Sequence, residues 1–264
     1  MSEDESRKLP VKRGDTRIAK APSAKQGRFL AKVRAAKASV PLAAPATHGD
    51  PALVAAALAP RGRPRLVFAL DATASREPAW EAAKATSDAL FLALPGQLDV
   101  ALAVHGGSRL KVFSDFVSEP SSLRDRAAGL SCEAGTTRII EIMERCCEAK
   151  DVKVLVYIGD VFEESAESAE SAATALRLRG TRVLILHDDK RALDVEPSRV
   201  VFQRIAKITG GAVLPFDASS VEALRALLEA IAALAVGGVK LLEQRAAVLP
   251  AARSLLRLLP RDGS

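Results

Sequence analysis

The chain has 264 residues, 48% of them apolar and 27% charged, which excludes a fibrous, collagenous or wholly disordered protein. Its formal charge of +6 is unevenly held: residues 1–50 carry 11 Lys/Arg against 5 Asp/Glu, while residues 51–264 carry 27 of each. A globally basic nucleic-acid-binding domain is thereby excluded, and any affinity for polyanions belongs to the first fifth of the chain. Three cysteines, Cys132, Cys146 and Cys147, exclude a disulfide framework, because their number is odd and two are adjacent. The first residues contain no apolar secretory core, and the uncharged apolar run at 230–239 is half of the ~20 residues a membrane span requires. The expectation is a cytoplasmic protein without a membrane span.

In chain order, residues 1–60 are rich in Lys, Arg, Ala, Ser and Pro, with Phe29 as their sole aromatic. They hold too little apolar material to offset the entropy of ordering and are predicted to form a basic, largely disordered tail. Within it, residues 28–37 have the spacing of a short basic helix, and 52–59 form a second helical run ended by Pro60. The tail is either a solubilising segment or a docking segment for nucleic acid, anionic lipid or an acidic partner.

From Arg65 onward, short apolar runs alternate with helix-like stretches, the pattern of a parallel sheet with crossover helices. Strands are predicted at 66–70, 98–104, 109–113, 154–158, 182–186 and 212–216. Helices are predicted at 77–94, 138–149, through Ala175 and Leu178, at 203–209 and at 221–236. Only His105, Gly106, Gly107 and Ser108 join the second and third strands, too few for a crossover, so that pair is read as an antiparallel hairpin. Pro215 places the last strand at an edge. Residues 61–240 are thus predicted to be a doubly wound, Rossmann-like α/β domain: a mostly parallel sheet with one antiparallel edge hairpin and helices on both faces. Residues 241–264 form a C-terminal amphipathic extension, broken by Pro250 and expected to pack back on the domain. The Glu-Ser-Ala repeat at 164–172 reads as a solvated helix face opening with favourable acidic residues.

The chemistry concentrates at strand ends. The first strand finishes in Asp71-Ala72-Thr73-Ala74-Ser75, which sets one carboxylate and two hydroxyls at alternate positions of the turn. The strand at 154–158 finishes in Gly159-Asp160, and Gly135-Thr136-Thr137 opens the helix between them. In open parallel sheets the carboxyl edge, where strand order reverses, is where ligands bind. All these donors are oxygens, with no His or Cys at ligand spacing, a set that suits Mg²⁺ with Mn²⁺ as the alternative. Such a site leaves a coordination position facing solvent, which seeks an Asp or Glu carboxylate of another protein. His105 and His187 end strands and read as loop histidines. Glu163, Glu164, Asp188 and Asp189 read as solvated charges at the rim.

Asp71-x-Thr73-x-Ser75, Gly135-Thr136-Thr137-x-Ile139 and Ile158-Gly159-Asp160, in this order, resemble the von Willebrand factor type A domain and its metal-ion-dependent adhesion site. The resemblance covers about residues 65–236, with Thr73 standing for the family's Ser and Val161 for the Gly after the last Asp. It implies direct coordination by Thr73 and Ser75, and action of Asp71 and Asp160 largely through water. Thr137 matches the family threonine, with Thr136 one position out. It further implies a metal-dependent protein-protein interaction module, without enzymatic activity, working beside an AAA-type ATPase or in an assembly complex.

Two other classes compete. A haloacid-dehalogenase-like phosphatase would use Asp71 as nucleophile with Mg²⁺ and a lysine, but no acid stands at Thr73 and no cap insertion follows the first strand. A nucleic-acid accessory protein would act through the basic tail, with steep salt dependence.

Overall fold

The computed structural model describes residues 62–188 and 195–260. The basic tail at 1–60, with its helical runs, and Asp189 lie outside the described residues. Six strands, β1 (Arg65–Asp71), β2 (Asp99–Gly106), β3 (Arg109–Phe113), β4 (Val152–Gly159), β5 (Arg182–His187) and β6 (Ala212–Pro215), form one sheet in the order β3-β2-β1-β4-β5-β6. Every neighbouring pair is parallel except β2 with β3. That pair is closed by Gly107 and Ser108, both at positive φ (59° and 61°), the backbone a two-residue hairpin turn requires. The doubly wound α/β sheet with its antiparallel edge hairpin is as the sequence predicts, and Pro215 lies on the edge strand.

Eight helices accompany the sheet among the described residues: α1 (Glu77–Thr86), α2 (Ala89–Leu92), α3 (Pro120–Ala128), α4 (Ile139–Glu148), α5 (Ala166–Leu178), α6 (Val195–Thr209), α7 (Val221–Ala246) and α8 (Pro250–Leu258). Strand side chains alternate between faces. Leu66, Phe68, Leu70, Val156 and Leu184 join one core with Trp80, Leu90, Leu228 and Ile231 from α1, α2 and α7. Val67, Ala69, Leu155, Tyr157 and Ile185 point the other way and are as deeply buried, on the side where α4, α5 and α6 pack. No helix among the described residues is long and apolar enough to cross a membrane.

The structure departs from the sequence reading where local chemistry overrides periodicity. The predicted helix at 77–94 is divided into α1 and α2 at Ser87 and Asp88, which keep helical φ/ψ, with Thr86 Oγ1 donating to the Ala82 carbonyl (2.8 Å) and Ser87 Oγ to the Lys84 carbonyl (3.0 Å). Helix α3 went unpredicted, since it buries only Leu123 and Ala127. Helix α6 starts at Val195 rather than 203, with Pro197 tolerated in its first turn. In the Glu-Ser-Ala repeat the alanine column faces inward, with Ala169 and Ala172 buried, so only part of this face is solvated. Helix α7 continues past 236, kinked at Gly238 (φ 64°, ψ −160°), and leads to α8. Leu242, Ala252 and Leu255 are fully buried in the same core as Leu228.

This shared core makes a stability prediction. Leu255→Ala should lower the unfolding free energy by about 2–5 kcal/mol in a single urea transition, while truncating exposed Val248 changes it little. A separate transition at low urea, sensitive only to Leu255, would show that α8 does not share the main core.

Candidate metal centre

Strands β1 and β4 are paired through Leu70 and Ile158, so Asp71 and Asp160 reach the carboxyl edge side by side, at the point where strand order reverses. A cavity of about 280 Å³ opens there, lined by Asp71, Thr73, Ser75, Thr137 and Asp160, together with Ala74, Ala134, Gly135, Val161 and Glu163. All five residues singled out in the sequence therefore face one space. Ser75 is exposed and the other four are buried. Thr136 is exposed and outside the lining, its N–H held by Ser108 Oγ at 2.9 Å.

Backbone bonds explain the convergence. Asp71 Oδ1 accepts the Thr73 N–H at 2.9 Å, which closes the first turn. The Glu133 N–H donates to the Ala72 carbonyl (2.9 Å) and the Gly107 N–H to the Glu133 carbonyl (3.2 Å), lacing the second loop between β1 and the hairpin. Gly106 permits this approach, because a Cβ there would lie 2.6 Å from the Ala72 oxygen. Arg138 Nε then donates to the Ser108 carbonyl at 2.8 Å. The third loop clasps the second: Glu163 Oε2 accepts the Thr137 N–H (3.1 Å), and Thr137 Oγ1 accepts the Glu163 N–H (3.0 Å). Glu164 Oε1 accepts the Ile140 N–H (3.3 Å) at the start of α4. Val161 is not among the described residues with positive φ, so its backbone needs no glycine.

Electrostatically the site is short of positive charge. Asp71 is 3% exposed, and its Oδ2 has no hydrogen-bond partner. Burial foremost, with the nearby Asp160 charge, pushes its pKa up to about 7 against the pull of the Thr73 N–H. His105 offers no compensation, since burial and Arg138 push it down to about 4. Its Nε2 meets Tyr157 Oη at 3.0 Å and its Nδ1 stands 3.8 Å from Asp71 Oδ1. His187 Nε2 donates to the Asp160 carbonyl (2.9 Å). Both histidines are thus buried supports beneath the site rather than loop residues at its rim.

The solvated-charge reading is corrected for two acids, since Glu164 serves α4 and Asp188 is buried against Arg76, while Glu163 stays exposed and also lines the cavity. Arg76 was missed, although it directly follows Ser75. Among the described residues no three His, Cys, Asp or Glu side chains stand together as a metal cluster. The cavity lining offers three hydroxyls and the carboxylates of Asp71, Asp160 and Glu163, the last already engaged by the Thr137 N–H. A buried carboxylate oxygen without a donor, beside a second carboxylate, fits a hard divalent cation.

The raised Asp71 pKa has a signed consequence for the chain in chelator. The folded state binds the Asp71 proton more tightly than the unfolded state, so stability falls as pH rises from about 4 to about 7 and levels off above. Asp71→Asn, which keeps the acceptor for Thr73, should raise the unfolding free energy at pH 8 by up to roughly 4 kcal/mol, seen as a higher urea midpoint, and leave the midpoint nearly unchanged at pH 4. Equal midpoints at pH 8 would contradict this assignment.

No protein-family model and no curated protein sequence matches the chain. Solved structures do. One is a von Willebrand factor type A protein from Catenulispora acidiphila (TM-score 0.53, 14% identity, covering 66% of this chain and 43% of that one). Another is proximal thread matrix protein 1 from the mussel byssus with a zinc-occupied MIDAS motif (TM-score 0.52, 14% identity, 65% and 46%); a further crystal form of that protein matches at TM-score 0.52 and 14% identity, over 64% and 45%. The chain spans less than half the length of these proteins. The sheet order, the antiparallel edge hairpin and these likenesses give one conclusion: the chain has the von Willebrand factor type A fold.

Proposed function

We propose that this chain is a non-enzymatic, metal-dependent protein-protein interaction module. Asp71, Thr73, Ser75, Thr137 and Asp160 hold Mg²⁺, or Mn²⁺ in its place, and an Asp or Glu carboxylate of a partner protein completes the coordination. The observation that carries this reading is the buried, unpartnered Asp71 Oδ2 in a cavity lined by three hydroxyls and the second carboxylate. The zinc-occupied MIDAS motif of the mussel protein, which shares the fold, supports it.

When bound, the ion supplies a directional positive charge for an incoming carboxylate. The chain does the rest. The Thr73 N–H fixes the Asp71 rotamer, and the clasp between Glu163 and Thr137 holds the threonine hydroxyl toward the cavity. Loops around the mouth read the partner's shape. An AAA-type ATPase or an assembly complex is the type of partner proposed. The basic tail is an accessory.

The phosphatase alternative needs a cation to grip the transferring group, and no lysine is among the described residues lining the cavity. Wild-type and Asp71→Ala full-length chains, immobilised with Mg²⁺ or with chelator, test the proposal against lysate. Proteins retained only by wild type with Mg²⁺ are expected, with Asp71→Ala or Asp160→Ala weakening metal affinity by about 10 to 100-fold or more while circular dichroism stays unchanged. Identical sets in every lane would discard the metal mechanism. Hydrolysis of p-nitrophenyl phosphate that requires Mg²⁺ and Asp71 would instead establish the phosphatase.

A further inference from the structure

We infer that Arg76 is a resident counter-cation that restrains Asp160 and sets how tightly the site holds a divalent ion, an inference that rests on the metal reading above. The short 3-10 turn Ala74–Arg76 leaves Ser75 exposed and buries Arg76 completely. Its Nη1 lies 2.6 Å from Asp188 Oδ2 and 3.7 Å from Asp160 Oδ2, and so faces the acids that follow β5 and β4. The guanidinium also stands over the Phe216 ring, 5.9 Å from its centroid.

The manner of this pairing is informative. Arginine–carboxylate pairs frequently form two parallel hydrogen bonds. Here a single nitrogen serves two carboxylates, while Nε and Nη2 have no partner. Leaving buried donors unmade is costly. The arrangement does, however, offset charge where charge accumulates. Asp71, Asp160 and Asp188 are all at most 5% exposed, and together they would place three negative charges at one sheet edge. Arg76 offsets part of that excess and leaves the remainder facing the cavity.

Arg76 therefore acts through Asp160 and not by touching a ligand: it is a positioning residue. It keeps Asp160 neutralised and in place when no ion is bound. On binding, the ion must compete with it for the same carboxylate. The consequence is a site weaker than its donor set alone dictates, and one in which a partner carboxylate contributes substantially to closure.

Mn²⁺ binding to the full chain, followed by electron paramagnetic resonance of the free ion, tests this. Arg76→Met should bind Mn²⁺ at least about tenfold more tightly, the size expected of one charge acting over several ångströms at an effective dielectric near 20. Arg76→Lys, which keeps the charge, should stay near wild type. Should Arg76→Met leave Asp188 too unstable to fold, the double variant Arg76→Met/Asp188→Asn removes the pair together; its net charge equals that of wild type, so a tightening smaller than that expected of Arg76→Met reports the lost competition for Asp160 alone. A purely structural Arg76 would lower thermal stability without moving the Mn²⁺ affinity. Equal or weaker binding by both neutral variants, with wild-type binding still abolished by Asp71→Ala, overturns the role of Arg76 and leaves the metal reading standing. Absence of Mn²⁺ binding in wild type and both neutral variants overturns both. Binding by the neutral variants alone would be the extreme form of the predicted competition.

Discussion

Two carboxylates brought out of water beside each other are unfavourable, and the local structure of this protein is organised around that conflict. The parallel pairing of β1 with β4 forces Asp71 and Asp160 to the same sheet edge. Burial then raises Asp71 to about 7, and neither His105 nor a hydrogen bond relieves its outer oxygen. Sites of this type are arranged for a ligand at the expense of the free protein's stability. Beneath them His105 and Tyr157 bond to each other and His187 bonds to the Asp160 carbonyl, which supports the strand ends.

The hairpin matters more than its edge position suggests. Its turn at Gly107 and Ser108 holds the loop that carries Thr137 through bonds to Glu133, Thr136 and Arg138. The loop after β4 is then tied to the loop before α4 by the exchange between Glu163 and Thr137. Each loop of the cavity is thus fastened to the next by bonds that pair a backbone group with a side chain or with another backbone group. Single substitutions at Ser75 or Asp160, whose side chains take no part in these ties, are therefore more informative than a change at Thr137, whose hydroxyl belongs to the clasp.

Much of this was legible in the chain. Alternating apolar runs revealed the strands, because buried parallel strands need continuous apolar residues. The spacing of Asp71, Thr73 and Ser75 after a strand revealed the donors, because a turn projects alternate residues to one side. What escaped was long-range. Arg76 reads as one more basic residue until the fold sets it against Asp188, 112 positions away. Glu163 reads as a surface charge until Thr137 is beside it. The run through Gly237 and Gly238 looks like a helix end, yet the helix continues across a kink at Gly238, while the packing of Leu242 and Leu255 on the core is as expected. Periodicity records which face of an element is apolar and says little about which distant charge it will meet.

The central claim is that five side chains form one cation site. Crystals grown in manganese, with data collected at wavelengths on either side of the manganese absorption edge, test it directly. The account predicts a single anomalous peak inside the cavity, bounded by Asp71, Thr73, Ser75, Thr137 and Asp160. An empty cavity under saturating manganese, or a peak held by other residues, would contradict it.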